Sequence, residues 1–504
     1  MKKNILQLFS GNVLSKVLGL AREICLSRFF GTGEINASYR IAQTGTLVPI
    51  NFLTSDSLNS AFIPLYKKYL SEDKNRADSF KWLMYLFFVI ISLLVSFFIV
   101  FYSDFWITIL APGVKPSTAL IAKNLLSIMA ICTPFYLCSA IVNYVSMAHD
   151  DFVPMSMRAI FQNLGMLFGV FLAYFLNNYV YLAWGFTGSY IIFCAWAFCR
   201  KNRQNLFSFP EEINFSDIKI VAKEFAYLMR PLIFLPFILQ GNIALERALS
   251  SLISIDAISG LDYARFITDT VNFFIAIPVA FAGLSNWSAS NIKDTKINLK
   301  NIYRILLVFG GGISLYIYFF SNEIVTLLFK HGAFDDKSVF ITTNYLKGMC
   351  IGLWAQVIGY IFLKALNAHL LNKKVLIVIS VSVLTNILWN LLVFRHLGAF
   401  GIGIGASLNG FVVFILSACY IGILKDIIKP TIIYLTGIVI YVIVYYIMGG
   451  YFDVESQVDI LFKLLINGIC MFVFLFFWII FFKEYRDVLL NVLSGVIAKI
   501  NRKS

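Results

Sequence analysis

WLMYLFFVIISLLVSFFIVFYS (82–103) runs for 22 residues without a charged side chain. An α-helix rising about 1.5 Å per residue crosses the hydrocarbon of a bilayer in roughly 20 residues. A helix on the surface of a soluble core would show a polar face at helical period. This stretch has none, so it reads as a membrane span. Working outward, apolar runs of similar length recur at about 10–29, 36–64, 118–147, 157–177, 180–199, 225–252, 262–288, 303–321, 338–366, 375–394, 400–423, 431–449 and 459–482. With 82–103 they make fourteen. The composition agrees: 59% of the 504 residues are hydrophobic and 13% are charged, against about 25% charged in a soluble domain. Mean hydropathy is +0.80. A soluble globular protein, a disordered chain and a disulfide scaffold are excluded.

The expected fold is therefore all-α and polytopic: two pseudo-symmetric six-helix lobes plus two C-terminal helices. The N-lobe takes 1–199, a cytoplasmic linker 200–224, the C-lobe 225–424, and the last two helices 425–482. The tail 483–504 places Leu489, Leu493, Val496, Ile497 and Ile500 at helical spacing among basic residues. It reads as an amphipathic helix on the inner leaflet. Met1-Lys2-Lys3 leads into an apolar segment interrupted by Lys16 and Arg22, with no small-residue cleavage site after it. A retained first span is expected rather than a signal peptide.

Charge gives orientation. The net charge is +14, which on a soluble protein would suggest nucleic-acid binding. Here the loops explain it. An even span count puts both termini on one side, and the segments on that side hold 26 Lys and Arg. The opposite loops hold four: Lys115, Lys330, Lys337 and Arg395. Basic residues stay cytoplasmic, so both termini are expected inside a bacterial inner membrane, with no nucleic-acid partner. No loop exceeds about 25 residues, which leaves no room for an extramembrane catalytic domain. No GxxxxGK[ST] occurs, so nucleotide hydrolysis is not expected. The eight Cys fall mostly in apolar runs without a CxxC pair, and the four His are far apart. They suggest neither a metal site nor a nucleophile. No enzymatic activity and no cofactor are expected.

Ionisable residues inside spans cost at least about 2.5–3.5 kcal/mol each, so they face a cavity or a partner. Here they gather in the first two spans of each half: Lys16, Arg22, Glu23 and Arg28; Arg40 and Asp56; Glu246 and Arg247; Asp262, Arg265 and Asp269. The second span adds a polar stripe at steps of three and four: Asn36, Arg40, Gln43/Thr44, Asn51, Thr54/Ser55 and Asn59, with Leu47 as a gap. On a helix these share one face. The bland alternative is a dry helix contact glued by Asn, Ser and Thr, or intramembrane ion pairs. The six cations outnumber the five acids, and Arg40 suits water better than a dry seam. A cationic cavity takes an anion, and Arg and Lys favour phosphate. With a lipid tail left in the bilayer, the ligand is an amphiphilic anion. The expected binding residues are Lys16, Arg22, Arg40, Arg247 and Arg265. Asn36, Asn51, Ser55 and Asn59 would form the polar face.

A faint repeat supports a transporter. FVPMSMRAIFQNLGMLFG (152–169) and LAWGFTGSY (182–190) in one half resemble VLIVISVSVLTNILWNLLV (375–393) and GIGIGASLNG (401–410) in the other. Each has Asn mid-span and then a small-residue helix. Two related halves are an alternating-access layout.

Several of these segments together resemble the MurJ/MviN lipid II flippases. They are SKVLGLAREICLSRFFGTG (15–33), NSAFIPLYKKY (59–69), APG (111–113), DFVP (151–154) with Asn163, and LAWG (182–185). ERALSSLISIDAISGLDYARFI (246–267), FKHGAF (329–334) and GAFGIGIGASL (398–408) continue the set. The resemblance implies two six-helix lobes around a cationic cavity and a polyprenyl-tail groove beside the last two helices. It places family cations on Lys16 and Arg22, and near Arg265 with an offset of one. The second span departs from the pattern: Asn36 stands for an acid, Ile50 for an Arg, and Ser55-Asp56 for Glu-Gly. On those departures the expected substrate is a polyprenyl-pyrophosphate-linked surface-polysaccharide unit of the O-antigen type. The alternative is lipid II, the peptidoglycan precursor. A cation-coupled drug exporter of the same superfamily is a third reading, disfavoured because the cavity is cationic. A monomer is expected, coupled if at all to the membrane potential or a monovalent cation.

Overall fold

The computed structural model describes residues 2–54, 56–200, 208–211, 215–230, 234–448, 457–487 and 490. Helices account for nearly all of them. In chain order they are α1 (Lys2–Phe30), α2 (Glu34–Leu53), α3 (Asp56–Glu72), α4 (Lys74–Phe101), α5 (Ser103–Leu110), α6 (Pro116–Ala130) and α7 (Cys132–Ala148). Then come α8 (Val153–Phe175), α9 (Val180–Cys199), α10 (Phe215–Met229), α11 (Phe234–Ile253), α12 (Ile255–Ala289) and α13 (Ile292–Phe319). The last are α14 (Ser321–Phe329), α15 (Asp336–Cys350), α16 (Leu353–Ala368), α17 (Asn372–Ile421), α18 (Leu424–Met448) and α19 (Gln457–Phe481).

The protein is an all-α, multi-pass membrane protein. Among the described residues eight helices are long and apolar enough to cross a bilayer, or ten if each of two bent pairs counts as one span. The pairs are α6 with α7, bent by 45°, and α15 with α16, bent by 50°. Helix α17 carries two expected spans, 375–394 and 400–423, on either side of Gly398, whose φ of 53° breaks the helical path. The three remaining spans lie on α1, on α2 with α3, and on α11. They fail a hydropathy test because they carry the intramembrane charges. Exposure shows the solvent to be lipid. On α4, Leu86, Ile90, Leu93, Leu94, Phe97 and Phe101 are exposed, while Phe80, Met84, Phe88 and Ser92 are buried. An apolar outer surface of that extent belongs in hydrocarbon.

The chain packs as two compact units: Met1–Ser259 with His331–Asp335, and Gly260–Lys330 with Asp336–Ser504. This division differs from the expected lobe limits, because α10 and α11 pack within the first unit. Helix α10 lies on α3 and α4, and α11 lies on α2 and α5. The expected span 225–252 is thus two helices. Its N-terminal part belongs to α10, which carries Lys219, Lys223 and Glu224. The seventh span is α11.

In the first unit α1 packs along α8, α2 along α6, and α4 along α7. The α8–α9 pair is closest where glycines meet. A Cβ on Gly169 would stand 2.8 Å from the Gly185 Cα, so both positions require glycine. The turn after α1 locks to the short 331–335 segment. Gly31 has a φ of 55°, and a Cβ there would lie 2.3 Å from the Ala333 carbonyl oxygen. The Ala333 N–H donates to the Arg28 carbonyl at 2.8 Å. This contact explains why GTG (31–33) and HGA (331–333) occur as motifs: only glycine tolerates this backbone path.

The second unit repeats the small-residue device. The Ser407 hydroxyl donates to the Gly348 carbonyl at 2.6 Å and accepts from the Gly352 N–H at 2.7 Å, joining α17 to α15 and α16. Gly405 packs under the side chains of Asn386 and Asn390. The mid-span asparagines and the glycine-rich helix of the expected repeat therefore meet in this half.

Candidate functional site

Glu23 organises the site. It sits on α1, buried at 2% exposure, and accepts from two guanidinium groups. Arg22 Nη2 donates to its Oε1 at 2.5 Å, and Arg40 Nη2 of α2 donates to its Oε2. Two cations share one carboxylate, so the cluster carries a net charge of +1. Neighbours on a helix point apart, but the long Arg22 arm folds back along the α1–α8 seam and reaches both groups. Arg22 Nη1 donates to the Asn163 Oδ1 of α8 at 2.9 Å. Asn163 is fixed in turn: its Nδ2 donates to the Ser15 Oγ and the carbonyls of Ser15 and Ala159, each at 3.0 Å. Arg40 is buried at 4% exposure, whereas the Arg22 side chain keeps 14%. Arg22 is therefore the cation that remains reachable.

The other expected residues divide into three groups. Lys16 is half-buried on α1, six residues before Arg22. Asn51, on the same helix as Arg40, is half-buried and accepts from the Tyr136 hydroxyl at 3.1 Å. These two keep accessible surface in the first unit. Asn36 and Arg247 are placed differently. Asn36 is fully buried and its amide donates to the Gly31 carbonyl, closing the turn between α1 and α2. The helical period correctly put it on the α2 stripe, but its side chain is used within the turn. Arg247 is 5% exposed. Its Nε donates to the Thr44 Oγ1 at 3.1 Å, and its Nη1 donates to the Ile258 carbonyl. It ties α11 to α2 and to the start of α12, and in this conformation it faces protein. Ser55 lies outside the described residues, as does the side chain of Asn59. Arg265 belongs to the second unit, on α12, where Asp269 one turn later and Tyr345 are its electrostatic neighbours.

Sequence reasoning missed two features. Glu23 was read as lying near a span end, yet it is the shared counter-ion. Arg158 was counted among cytoplasmic loop cations, but it is on α8, with its guanidinium 5.5 Å from the Tyr136 ring centre. The signal for both was present: Glu23 adjoins Arg22, and Arg158 precedes Asn163 by five residues on one helix.

A face with one net positive charge, a reachable guanidinium and hydroxyl and amide groups binds an anion and turns nothing over. A family model described as lipid II flippase MurJ matches residues 26–464. The chain belongs to the MurJ family. MurJ relatives match over most of their length. A probable lipid II flippase MurJ of Buchnera aphidicola subsp. Acyrthosiphon pisum is 26% identical over 432 residues, covering 80% of each chain. The lipid II flippase MurJ of Thermosipho africanus is 24% identical over 413 residues, 79% of this chain and 81% of the relative. A solved structure of lipid II flippase MurJ in an inward closed conformation superposes with a TM-score of 0.81 at 22% identity. It covers 96% of this chain and 99% of its own. An inward-facing multidrug resistance MATE family transporter of the MOP superfamily gives 0.64 at 14% identity, over 82% and 96%. That likeness is one of fold. A MurJ-family flippase relocates its lipid without changing it, so this is a transporter and not an enzyme. The preference for a surface-polysaccharide unit, drawn from the altered second span, is not the one these matches favour; they favour lipid II.

Proposed function

We propose that the chain moves lipid II from the inner to the outer leaflet of a bacterial inner membrane by alternating access. The observation that carries this reading is the Arg22–Glu23–Arg40 cluster. It presents one uncompensated positive charge among membrane helices, beside the reachable Arg22 guanidinium. An unneutralised charge in hydrocarbon is expensive, so its retention implies an anion that returns to it. The pyrophosphate of a polyprenyl-linked glycan supplies that anion, and its tail stays in lipid. The family match and the named relatives support lipid II as the glycan.

The rival substrate, a surface-polysaccharide unit, rests on Ile50 and Ser55-Asp56 in the second span. Depletion in the native host separates the two. Lipid II transport predicts lysis on depletion, rescue by an established lipid II flippase, and no rescue by the Arg22→Ala variant at normal membrane abundance. Normal growth with loss of a surface glycan would reverse the assignment. Full complementation by Arg22→Ala would remove the pyrophosphate site.

A further inference from the structure

The first unit contains a second cation that the protein leaves unneutralised. Arg158 lies on α8, partly accessible, and among the described residues it makes no hydrogen bond or ion pair. Its guanidinium instead rests over the Tyr136 ring at 5.5 Å. Tyr136 packs against Tyr190, with ring centres 4.7 Å apart, and its hydroxyl donates to Asn51 on the polar face of α2. Tyr190 is 1% exposed and its hydroxyl has no hydrogen-bond partner among the described residues. The same holds for Oδ1 of Asn143, which is 3% exposed and two turns beyond Tyr136 on α7.

Buried polar groups are normally paired, and an unpaired set marks a place where something is missing. A guanidinium stays charged at any physiological pH. One ring contact offsets only part of the cost of withdrawing it from water. The other intramembrane arginines of this unit show how the fold handles that cost when it serves structure. Arg22 and Arg40 share Glu23, and Arg247 donates to Thr44 and Ile258. Arg158 has no such arrangement. Its side chain and the Tyr190 hydroxyl are both donors, so the complement is an acceptor with negative charge. Asn143 Oδ1 can take a donor on the same ligand.

Arg158 precedes Asn163, the residue that holds Arg22, by five positions, or about 7.5 Å along the helix axis. That rise exceeds the separation of two phosphates joined by one bridging oxygen. The two cations therefore suit two different anionic groups on one ligand. We propose that Arg158, stacked on Tyr136 and backed by Tyr190 and Asn143, binds a carboxylate of the lipid-linked headgroup beyond its pyrophosphate. This rests on the lipid II reading, since the peptide of lipid II carries carboxylates.

The test uses the full chain in detergent with three probes: undecaprenyl pyrophosphate, lipid II, and lipid II with its peptide carboxylates amidated. The wild type binds amidated lipid II about tenfold more weakly than lipid II. Arg158→Gln binds lipid II about tenfold more weakly than wild type, shows no further loss on amidation, and keeps its affinity for undecaprenyl pyrophosphate. That retained affinity also shows the variant to be folded. Arg158→Lys recovers part of the lipid II affinity, and Arg22→Gln weakens all three probes. Unchanged lipid II binding by Arg158→Gln would overturn the inference while leaving the pyrophosphate reading intact. So would independent, additive losses from Arg158→Gln and amidation. An equal loss for all three probes without recovery in Arg158→Lys would overturn it too. Failure of the wild type to bind either lipid would instead overturn the proposed function, and this inference with it.

Discussion

At the scale of single residues, Glu23 decides how two arginines coexist inside the membrane. Its two oxygens each take one guanidinium, so removing its charge and removing one partner's charge differ in kind. Glu23→Gln leaves two buried cations facing each other without a counter-ion. Breaking a buried ion pair from one side costs about 3–5 kcal/mol, and this variant should melt well below wild type in detergent. Arg40→Gln leaves the neutral Arg22–Glu23 pair, so it should keep much of its stability yet lose the net charge that attracts pyrophosphate. Thermal melting with lipid II binding, measured on both variants, separates the cases; equal stability for both would contradict the shared-counter-ion account. Arg22 was legible in the sequence because helix position and motif resemblance selected it independently. Asn36 was not, since periodicity gives a face but cannot say whether a short amide turns back to its own backbone. Arg158 escaped because the rule that assigns orientation counts basic residues at span ends as loop charges.

At the scale of elements, the cytoplasmic ends of the first unit are tied by polar contacts to the segment leading to α10. Lys81 is fully buried. It donates to Asp78 at 2.8 Å and to the Ser208 carbonyl at 2.7 Å, while Trp82 Nε1 reaches the same carbonyl at 2.8 Å. The Phe209 ring stacks on Trp82 at 4.4 Å. Trp82→Ala removes the ring and one donor together, so peptides covering 208–211 should take up deuterium faster while those inside α4 do not. Equal uptake in variant and wild type would mean the clamp rests on Lys81 alone. Nearby, His149 follows α7, packed edge-on against Tyr66 at 5.9 Å. Burial first, then the charges of Lys81 and Lys67, hold its pKa below 6.5 against the opposing pull of Asp78 and Asp150. A base with a lowered native pKa is disfavoured when charged, so stability declines as pH falls from 6.5 through the native value. The melting temperature should drop on going from about pH 7.5 to pH 5.5, and His149→Gln should flatten that slope. The sequence revealed the spans but not their internal breaks. The α6–α7 and α15–α16 bends fall inside unbroken apolar runs, where composition carries no trace of a 45° or 50° turn. It also merged α10 with α11, because the apolar residues of a helix lying on α3 and α4 look like the start of a span.

At the scale of the whole molecule, orientation decides whether the binding face is offered substrate from the side where it is made. Twenty-six Lys and Arg fall in the segments expected inside and four in those expected outside, and basic residues resist translocation. This asymmetry also made the span count legible, because one missed span would exchange inner and outer loops for the rest of the chain. Helix α4 offers a direct test, since its exposed N-terminal Lys74 and the exposed Lys115 beyond α5 lie on either side of one span. All eight native cysteines are free and can be replaced to give a clean background. In that background a cysteine at Lys115 should react with an impermeant maleimide on intact spheroplasts. A cysteine at Lys74 should react only after the membrane is opened. Reaction of both from the same side would mean α4 does not cross. Reaction of Lys74→Cys alone on intact spheroplasts would invert the molecule, and would place the 26 basic residues outside. The inward-to-outward direction of transport requires the first pattern, because a face that opens first to the cytoplasm must sit on a chain whose basic loops are held there.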